Sequence, residues 1–271
     1  MTPIGFTEEW LVPAAIRTDL TLERTFLAQH LERYRLAKAL IEGAHGQGRI
    51  LDLACGVGYG ASILGEIGDV VAVDRDADLL THARKEYPGR GIRYLRGDAE
   101  DSAFLNSLGR FHAVVSLETL EHLSDPDPFL TWVRSALLPD GLFICSVPVT
   151  KTLDLTPYHT RDYDEAAIRR LLRSHGSDTH VAARQAAGFT LRDLLQERRA
   201  RKGALGRSAW GLAGFYVRHP AYFLHRIFGY LLEGRVMIRT AVFVSTASHA
   251  SPGWFPGVDS DGRPLARVSP L

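Results

Sequence analysis

The feature that most constrains the fold is a glycine-rich turn that directly follows a short apolar segment. A strand is predicted over residues 49–54 and the turn over 55–60, and a helix follows to about residue 66. Gly56 and Gly58 permit a tight turn and let a ligand approach the backbone closely. An ordinary connection from strand to helix would also use such glycines, so the turn alone leaves its ligand open.

Strands and helices alternate through the first 150 residues. Further strands are predicted at 70–73, 92–95, 112–117 and 142–147, and helices at 20–42, 76–87 and 125–138. This alternation predicts an α/β, Rossmann-like, doubly wound sheet with helices on both faces. Ligands of such sheets bind beyond the carboxyl ends of the strands, so we expect the functional residues directly after the strands.

The pattern loosens after residue 149. A helix is predicted at 164–174, late strands at 179–183 and 236–246, and a helical insertion at 191–235 before the last strand. Residues 251–271 are rich in proline and glycine, which is typical of an extended tail. We therefore predict one domain over 1–250, with the insertion as a cap or lid, and a separate tail over 251–271.

Composition excludes several classes of protein. Lysine and arginine number 32 against 31 acidic residues, a balance that argues against a dedicated nucleic-acid binder. The two cysteines, Cys55 and Cys145, lie outside any zinc-binding motif, which favours a reducing, cytoplasmic location. Residues 1–10 lack an apolar segment, so we expect no signal peptide. No apolar run approaches the roughly 18 residues that span a bilayer.

Two acidic residues restrict the ligand of the glycine-rich turn. Asp74 ends the next strand, near the spacing at which a carboxylate meets ribose hydroxyls. Gly56, Gly58 and Ala61 also match a dinucleotide fingerprint, so NAD is an alternative cofactor. Asp52 argues against NAD, because a carboxylate inside the first strand would repel a pyrophosphate and suits a cationic ligand.

These residues resemble the motifs of class I S-adenosylmethionine-dependent methyltransferases. Asp52, Ala54, Gly56 and Gly58, followed by Asp74, resemble the first two motifs. Segments 97–100, 111–118 and 138–142 resemble the third motif, the fourth motif and the turn before the fifth strand. The resemblance covers about residues 26–163. It implies S-adenosylmethionine as cofactor and a seven-stranded sheet whose last strand is antiparallel.

The resemblance also implies roles for individual residues. Gly56 and Gly58 would lie against the methionine part of the cofactor, and Asp74 would accept hydrogen bonds from the ribose. Asp98 would bond the adenine amino group, with Ala99 donating from its backbone. The first helix, with His30, Arg33 and Tyr34, resembles the segment that covers the cofactor. The implied cofactor-binding set is Tyr34, Asp52, Ala54, Gly56, Gly58, Tyr59, Asp74, Arg75, Asp98, Ala99, Glu100, Ser116 and Glu118.

A second cluster follows the fourth strand. Glu118, Glu121 and His122 would share one face of a helix, and His159 comes from a later loop. Two carboxylates and two imidazoles suit a divalent cation, so a metal is one interpretation. The cluster resembles those of quinone-biosynthetic O-methyltransferases and of RNA 3′-end 2′-O-methyltransferases, but also that of methyltransferases without metal. Alternatively, His122 and His159 are candidates for a catalytic base, or bond only to backbone.

The segment around His159 indicates the methyl acceptor. Pro148, Pro157, Tyr158, His159 and Tyr163 resemble a stretch of bacterial methyltransferases found among glycan-modification enzymes. We therefore expect methyl transfer to a hydroxyl of a sugar, a glycan or another small molecule. The alternatives are N-methylation of an amine, metal-assisted O-methylation of a quinone-like or RNA 2′-hydroxyl acceptor, and a cofactor-binding partner without activity.

The insertion is rich in basic and aromatic residues. Residues 197–239 hold nine basic and two acidic side chains, with seven aromatic residues interleaved. Three interpretations follow: a helical cap, a lid whose arginines hold a phosphate or carboxylate, and a segment that contacts anionic lipid at a membrane surface. Several glycines and Pro220 break any long amphipathic helix, which favours the cap or the lid.

Overall fold

The structure is a computed structural model that describes residues 13, 20–156, 158–175, 178–200 and 209–246, with residues 197–200 and 209 described by backbone alone. The strands are β1 (Gly48–Leu53), β2 (Gly68–Asp74), β3 (Ile92–Arg96), β4 (Phe111–Leu117), β5 (Leu137–Pro148), β6 (Asp178–Phe189) and β7 (Val236–Thr246). The helices are α1 (Thr21–His45), α2 (Tyr59–Leu64), α3 (Ala77–Glu86), α4 (Ser102–Ser107), α5 (Pro126–Ala136), α6 (Glu165–Ser174), α7 (Leu191–Ala200), α8 (Ala209–Arg218) and α9 (Pro220–Glu233). Among these helices, none combines the length and the apolar character needed to cross a membrane.

One seven-stranded sheet organises the chain, in the order β3-β2-β1-β4-β5-β7-β6. Strands β1 to β5 pair in parallel, whereas β7 is antiparallel to both β5 and β6. The predicted doubly wound sheet with an antiparallel last strand is therefore confirmed. The strand order reverses between β1 and β4, and ligands of such sheets bind at the carboxyl ends beside this reversal.

Alternating side chains of the central strands build a separate core on each face of the sheet. Leu51 and Val114 belong to the core that α4, α5 and α6 cover, whereas Ile50 and Val115 belong to the core covered by α1, α2 and α3. Strands buried on both faces are apolar along most of their length, which explains the continuous runs in the sequence. Asp52 is an exception, because it lies in β1 and is fully buried.

Aspartate side chains begin four of the helices. Asp76, Asp101, Asp125 and Asp164 each accept a backbone N–H from the first turn of α3, α4, α5 and α6, respectively. This arrangement satisfies donors that have no partner within the helix. The loops after β2, β3 and β4 therefore end at fixed points.

Strand β6 is longer than the five residues predicted at 179–183. It continues to Phe189 because its second half pairs with β7, from Gln185 opposite Thr240 to Phe189 opposite Val236. The added residues include alanine and glycine, whose low strand propensity is overridden by pairing with a neighbouring strand. Helices α7, α8 and α9 follow and form the insertion before β7, as predicted. The predicted tail at 251–271 lies outside the described residues.

Candidate active site

A cavity of about 540 Å³ opens where β1, β2, β3 and β4 end. Its volume lies within the roughly 300–1,000 Å³ range of small-molecule sites. The loops after these strands and one face of α1 form its walls. The polar and glycine residues that line it are His30, Tyr34, Gly56, Tyr59, Asp74, Arg75, Asp76, Asp78, Arg96, Gly97, Asp98, Glu100, Glu118, Thr119 and His122.

The backbone is strained where β1 and β4 meet the cavity. Ala54, directly after β1, has a φ of 60°, and Glu118, directly after β4, has a φ of 52°. Residues with a Cβ rarely adopt this left-handed conformation, and such strain concentrates at functional sites. Both residues line the cavity, so the strain lies at the point where the strand order reverses.

Glycine is needed at the two positions of the turn for different structural reasons. Gly56 has a φ of 54° and open space around the position of a Cβ, so its backbone faces the cavity. Gly58 has a φ of 91°, and a Cβ there would lie 2.6 Å from the Cβ of Ala83 and 2.9 Å from the hydroxyl of Tyr94. Gly58 therefore lets the turn pack against α3 and β3.

Asp74 closes the glycine-rich turn. Its Oδ2 accepts the Gly56 N–H at 2.9 Å and its Oδ1 accepts the Asp76 N–H at 2.9 Å. Each carboxylate oxygen retains capacity for a further hydrogen bond, as a bound ribose would require. Burial raises the pKa of Asp74 above its ordinary value, although the two backbone donors oppose this shift.

The cavity is strongly acidic. Six carboxylates and two arginines line it: Asp74, Asp76, Asp78, Asp98, Glu100, Glu118, Arg75 and Arg96. This excess of negative charge would repel the pyrophosphate of a dinucleotide and attract a cationic sulfonium group. The residues therefore fit S-adenosylmethionine and do not fit NAD.

The loop after β3 is held by its own acidic residues. Asp98 accepts the backbone N–H of Glu100 at 2.9 Å through Oδ1. Glu100 accepts the Ser124 backbone N–H at 3.0 Å and also the Ser124 hydroxyl. The hydroxyl contact lowers the pKa of Glu100. Glu100 thus ties the β3 loop to the segment before α5, with Asp98 on the wall of the cavity.

Helix α1 closes the cavity from the opposite side. The hydroxyl of Tyr59 lies 3.2 Å from Nδ1 of His30, and the rings of Tyr34 and Tyr59 meet edge to face at 5.8 Å. A Cβ at Gly60 would lie 2.0 Å from Cζ of Tyr34, so glycine is required for α2 to approach α1. Burial lowers the pKa of His30, which keeps this imidazole neutral.

The segment after β4 does not form the helix considered for it. The left-handed φ of Glu118 turns the chain, and residues 120–122 form a turn. Glu118 is not part of the group that the other three predicted residues form, and its Oε1 accepts the Ser146 hydroxyl at 2.6 Å. Candidate ligand atoms of Glu121, His122 and His159 lie within 4.8 Å of one another.

Of these three side chains, Glu121 is buried and the two imidazoles are half-buried. Neither carboxyl oxygen of Glu121 has a hydrogen-bond partner among the described residues, and burial raises its pKa well above the ordinary value. The rings of His122 and His159 meet edge to face at 4.8 Å. Burial lowers the pKa of His122, and it lowers that of His159 to about 4.

Hydrogen bonds orient both imidazoles. Nδ1 of His122 lies 3.3 Å from the carbonyl oxygen of Tyr158, so Nδ1 carries the proton and Nε2 keeps its lone pair. Nδ1 of His159 lies 2.7 Å from the Thr152 hydroxyl. Asp162 accepts the Thr152 backbone N–H at 2.7 Å, which fixes the loop that carries His159.

Comparison with known proteins identifies the fold family. Residues 51–145 match the family model described as a methyltransferase domain. The chain carries a class I S-adenosylmethionine-dependent methyltransferase domain. A protein of Bacillus halodurans C-125, named as a candidate methyltransferase, has the same fold with a TM-score of 0.59 at 20% identity. The alignment covers 78% of this chain and 98% of that protein.

Two curated relatives match part of this methyltransferase chain. A Mycolicibacterium smegmatis protein named as an S-adenosylmethionine-dependent methyltransferase is 30% identical over 134 residues, which cover 47% of this chain and 51% of that protein. A ubiquinone biosynthesis O-methyltransferase of Cereibacter sphaeroides is 38% identical over 101 residues, which cover 36% of this chain and 40% of that protein. The chain therefore spans about half or less of the curated relatives it matches.

Ten of the thirteen predicted cofactor residues line the cavity of the methyltransferase domain. Asp52, Gly58 and Ser116 lie behind its wall. Asp52 accepts the Tyr34 hydroxyl at 3.1 Å, and burial raises its pKa to about 7. Its role as a direct partner of a cationic ligand is therefore corrected to that of support for Tyr34. Ser116 is fully buried within β4, facing away from the cavity lining.

Sequence reasoning did not name every wall residue of the methyltransferase cavity. Arg96 and Thr119 line it without having been singled out. Arg96 ends β3 and Thr119 follows β4 by two positions, so the rule that ligands bind beyond the strand ends could have found both. Predicted catalytic residue His122 lines the cavity, whereas His159 reaches it through its contact with His122.

Proposed function

We propose that the chain transfers a methyl group from S-adenosylmethionine to a hydroxyl oxygen of a sugar, a glycan or another small molecule. The observation that supports this proposal is a neutral imidazole on the wall of an acidic cavity. His122 donates from Nδ1 to the Tyr158 carbonyl, which leaves Nε2 able to accept a proton. An acceptor hydroxyl needs such a base, because it must lose its proton as it attacks.

The cavity residues supply the means to hold the cofactor. Gly56, Asp74 and Asp98 line the cavity, as do Tyr34 of α1 and Tyr59 of α2, whose rings meet edge to face. S-adenosylmethionine, when bound, supplies an electrophilic methyl group on a positively charged sulfur. The six lining carboxylates would attract that positive charge and so favour binding of the cofactor.

The histidines then act on the acceptor. Nε2 of His122 would accept the proton of the acceptor hydroxyl, whose oxygen would take the methyl group that bound S-adenosylmethionine supplies, and S-adenosylhomocysteine would leave. His159 packs edge-on against His122 and keeps its ring in place. Positioning of the two substrates contributes much of the rate in such a site.

Substitution of His122 tests this proposal. With a panel of sugar, glycan and phenolic acceptors, His122→Gln should lower kcat by about 10²–10⁴-fold, the usual contribution of a general base. Binding of S-adenosylhomocysteine should remain, because the cofactor walls are intact. His82→Gln on α3 is the matched control and should keep full activity. If His122→Gln turned over the true acceptor at the wild-type rate, His122 would not be the general base. If the protein methylated amines, and replacement of His122 or His159 left that activity unchanged, the reaction would be N-methylation.

A second candidate is metal-assisted O-methylation of a quinone-like hydroxyl. It is favoured by Glu121, whose two buried oxygens have no partner in the described part of the chain and lie beside His122 and His159. One carboxylate and two imidazoles would hold a divalent cation, which lowers the pKa of a bound hydroxyl. The name of the Cereibacter sphaeroides relative also supports this acceptor class.

Calorimetry with Mg²⁺, Mn²⁺ and Zn²⁺ separates the two candidates. A metal role predicts cation binding that Glu121→Gln and His159→Gln each abolish, and activity that EDTA removes and the cation restores. The base role predicts activity that EDTA leaves unchanged. Binding of S-adenosylhomocysteine is measured in parallel, so loss of the cofactor site is recognised separately.

A further inference from the structure

Helix α9 turns its polar side chains towards the protein and its apolar side chains towards the solvent. Tyr222 and Arg226, one turn apart, face the body of the protein. The large apolar residues Phe223, Leu224, Ile227, Phe228, Leu231 and Leu232 are exposed. All 14 residues of α9 are described, and none of them is buried. A helix on the surface of a globular protein normally presents its apolar stripe to the core and its polar face to water.

Specific polar contacts hold α9 in this orientation. The Arg226 guanidinium forms two hydrogen bonds of 2.7 Å with Asp154, whose side chain is fully buried. The Tyr222 hydroxyl donates to Asp162 at 2.6 Å. Rotation of the helix to bury its apolar face would remove the Arg226 cation from the fully buried Asp154 and leave it only the Tyr216 hydroxyl, which is strongly unfavourable. The apolar residues are therefore held outward.

Helix α8 extends the same surface. Phe215 packs edge to face against Tyr222 at 5.2 Å, so the two helices form one unit. Trp210 and Val217 of α8 are more than four-fifths exposed. Of the eleven large apolar side chains exposed in the described residues, eight belong to α8 and α9. An apolar surface this concentrated marks an interaction site.

Charge identifies the class of partner. Residues 197–239 hold nine basic and two acidic side chains, although the whole chain has a net charge of only +1. A second copy of the chain would bring the same basic excess to the contact, which opposes self-association. Arg218 at the end of α8 and Arg235 just after α9 are both exposed. An apolar helix face with these arginines and an exposed tryptophan suits the interface of a membrane that contains anionic lipids.

We propose that α8 and α9 dock on the surface of an anionic membrane, with Phe223, Phe228 and Leu232 in the interfacial layer. The helices lie along the surface and do not span it. Asp154 and Asp162 belong to the loop that carries His159, so docking fixes this loop beside the lipid surface. The proposal concerns lipid binding and does not depend on the methyl acceptor.

Vesicle co-sedimentation tests the proposal with the full chain. The protein should sediment with phosphatidylcholine vesicles that contain phosphatidylglycerol, less with phosphatidylcholine alone, and less at high salt because salt screens the arginines. Phe228→Ser combined with Leu232→Ser should raise the lipid concentration for half-maximal binding at least about tenfold, since two apolar side chains lose burial. Both residues are exposed, so the fold should persist, as circular dichroism and S-adenosylhomocysteine binding would verify.

Leu191→Ser with Leu195→Ser is the matched control, because both leucines are about half exposed on α7. This control should bind vesicles like the wild type. Absence of binding to the anionic vesicles would overturn the proposal, as would equal loss in the control variant. The alternative partner of this surface is a second copy of the chain, and sedimentation velocity would detect it. If the wild type formed a dimer and Phe228→Ser with Leu232→Ser made it monomeric, the surface would belong to a dimer interface.

Discussion

The sheet of the first half and the helices α8 and α9 of the second half direct their apolar residues differently. From β1 to β5, apolar side chains fill both faces of the sheet and the polar residues collect at the strand ends. From residue 149 onward, Asp154 is buried and paired with α9, while the apolar residues of α8 and α9 face outward. The first half is specified by hydrophobic periodicity and the second by a few long-range polar pairs. The cofactor site therefore depends on apolar packing of the sheet, whereas recognition of the acceptor or of a surface depends on long-range polar pairs.

Removal of Asp154 should cause the largest loss of stability among these predictions. The loss should be confined to the second half of the chain. Asp154→Ala removes the acceptor of the Tyr216 hydroxyl and the ion-pair partner of Arg226, which keeps only the Lys151 carbonyl. Loss of one partner of a buried ion pair costs about 3–5 kcal/mol. Hydrogen exchange should accelerate in α8 and α9 while the amides of β1 and β4 keep their protection. Equal acceleration in the central strands would show that the two halves are one cooperative unit.

Substitutions of the two glycines in the cofactor turn should have different effects, one mainly on stability and the other mainly on cofactor binding. Gly58→Ala combines a left-handed φ with a Cβ 2.6 Å from Ala83, so we expect a loss of about 2–4 kcal/mol of unfolding free energy. Gly56→Ala has open space and should cost only about 1–2 kcal/mol, but weaken S-adenosylhomocysteine binding. Urea unfolding and calorimetry measure the two effects. Equal stability of the two variants would contradict the packing role of Gly58.

Protonation of His159 should make the second half sensitive to acid. Its pKa is about 4 in the folded chain, because burial disfavours the charged form, against an ordinary value of 6.5. The unfolded chain then binds the extra proton first, so stability falls as pH drops from about 6.5 towards 4. Between pH 7 and 5 this group should cost about 1–2 kcal/mol. His159→Gln should flatten that part of the stability profile, and an unchanged slope would refute the burial of a neutral imidazole.

The sequence predicted the first half well for the same physical reason. Local periodicity marks the strands, and Asp76 and Asp125 mark helix starts. The predicted wall residues Asp74 and Asp98 lie together because parallel strands end at one edge.

The remainder depended on contacts that no local pattern records. The turn at Glu118 follows from one left-handed residue, and buried Asp52 accepts the hydroxyl of Tyr34, 18 positions away in the sequence. The outward apolar face of α9 follows from pairing of Arg226 with Asp154, 72 positions away in the sequence. Periodicity alone would have turned that face towards the core.

The most direct test of the central claim is calorimetric titration of S-adenosylhomocysteine into the wild type, Asp74→Asn and Asp69→Asn. The wild type should bind at a single site. Asp74→Asn should bind about ten- to a hundredfold more weakly, since a hydrogen bond to a charged group contributes about 1.5–3 kcal/mol. Asp69 is exposed at the start of β2, so its variant should match the wild type. Absence of binding to the wild type, or equal affinity of all three proteins, would contradict the assignment of this cavity to the cofactor.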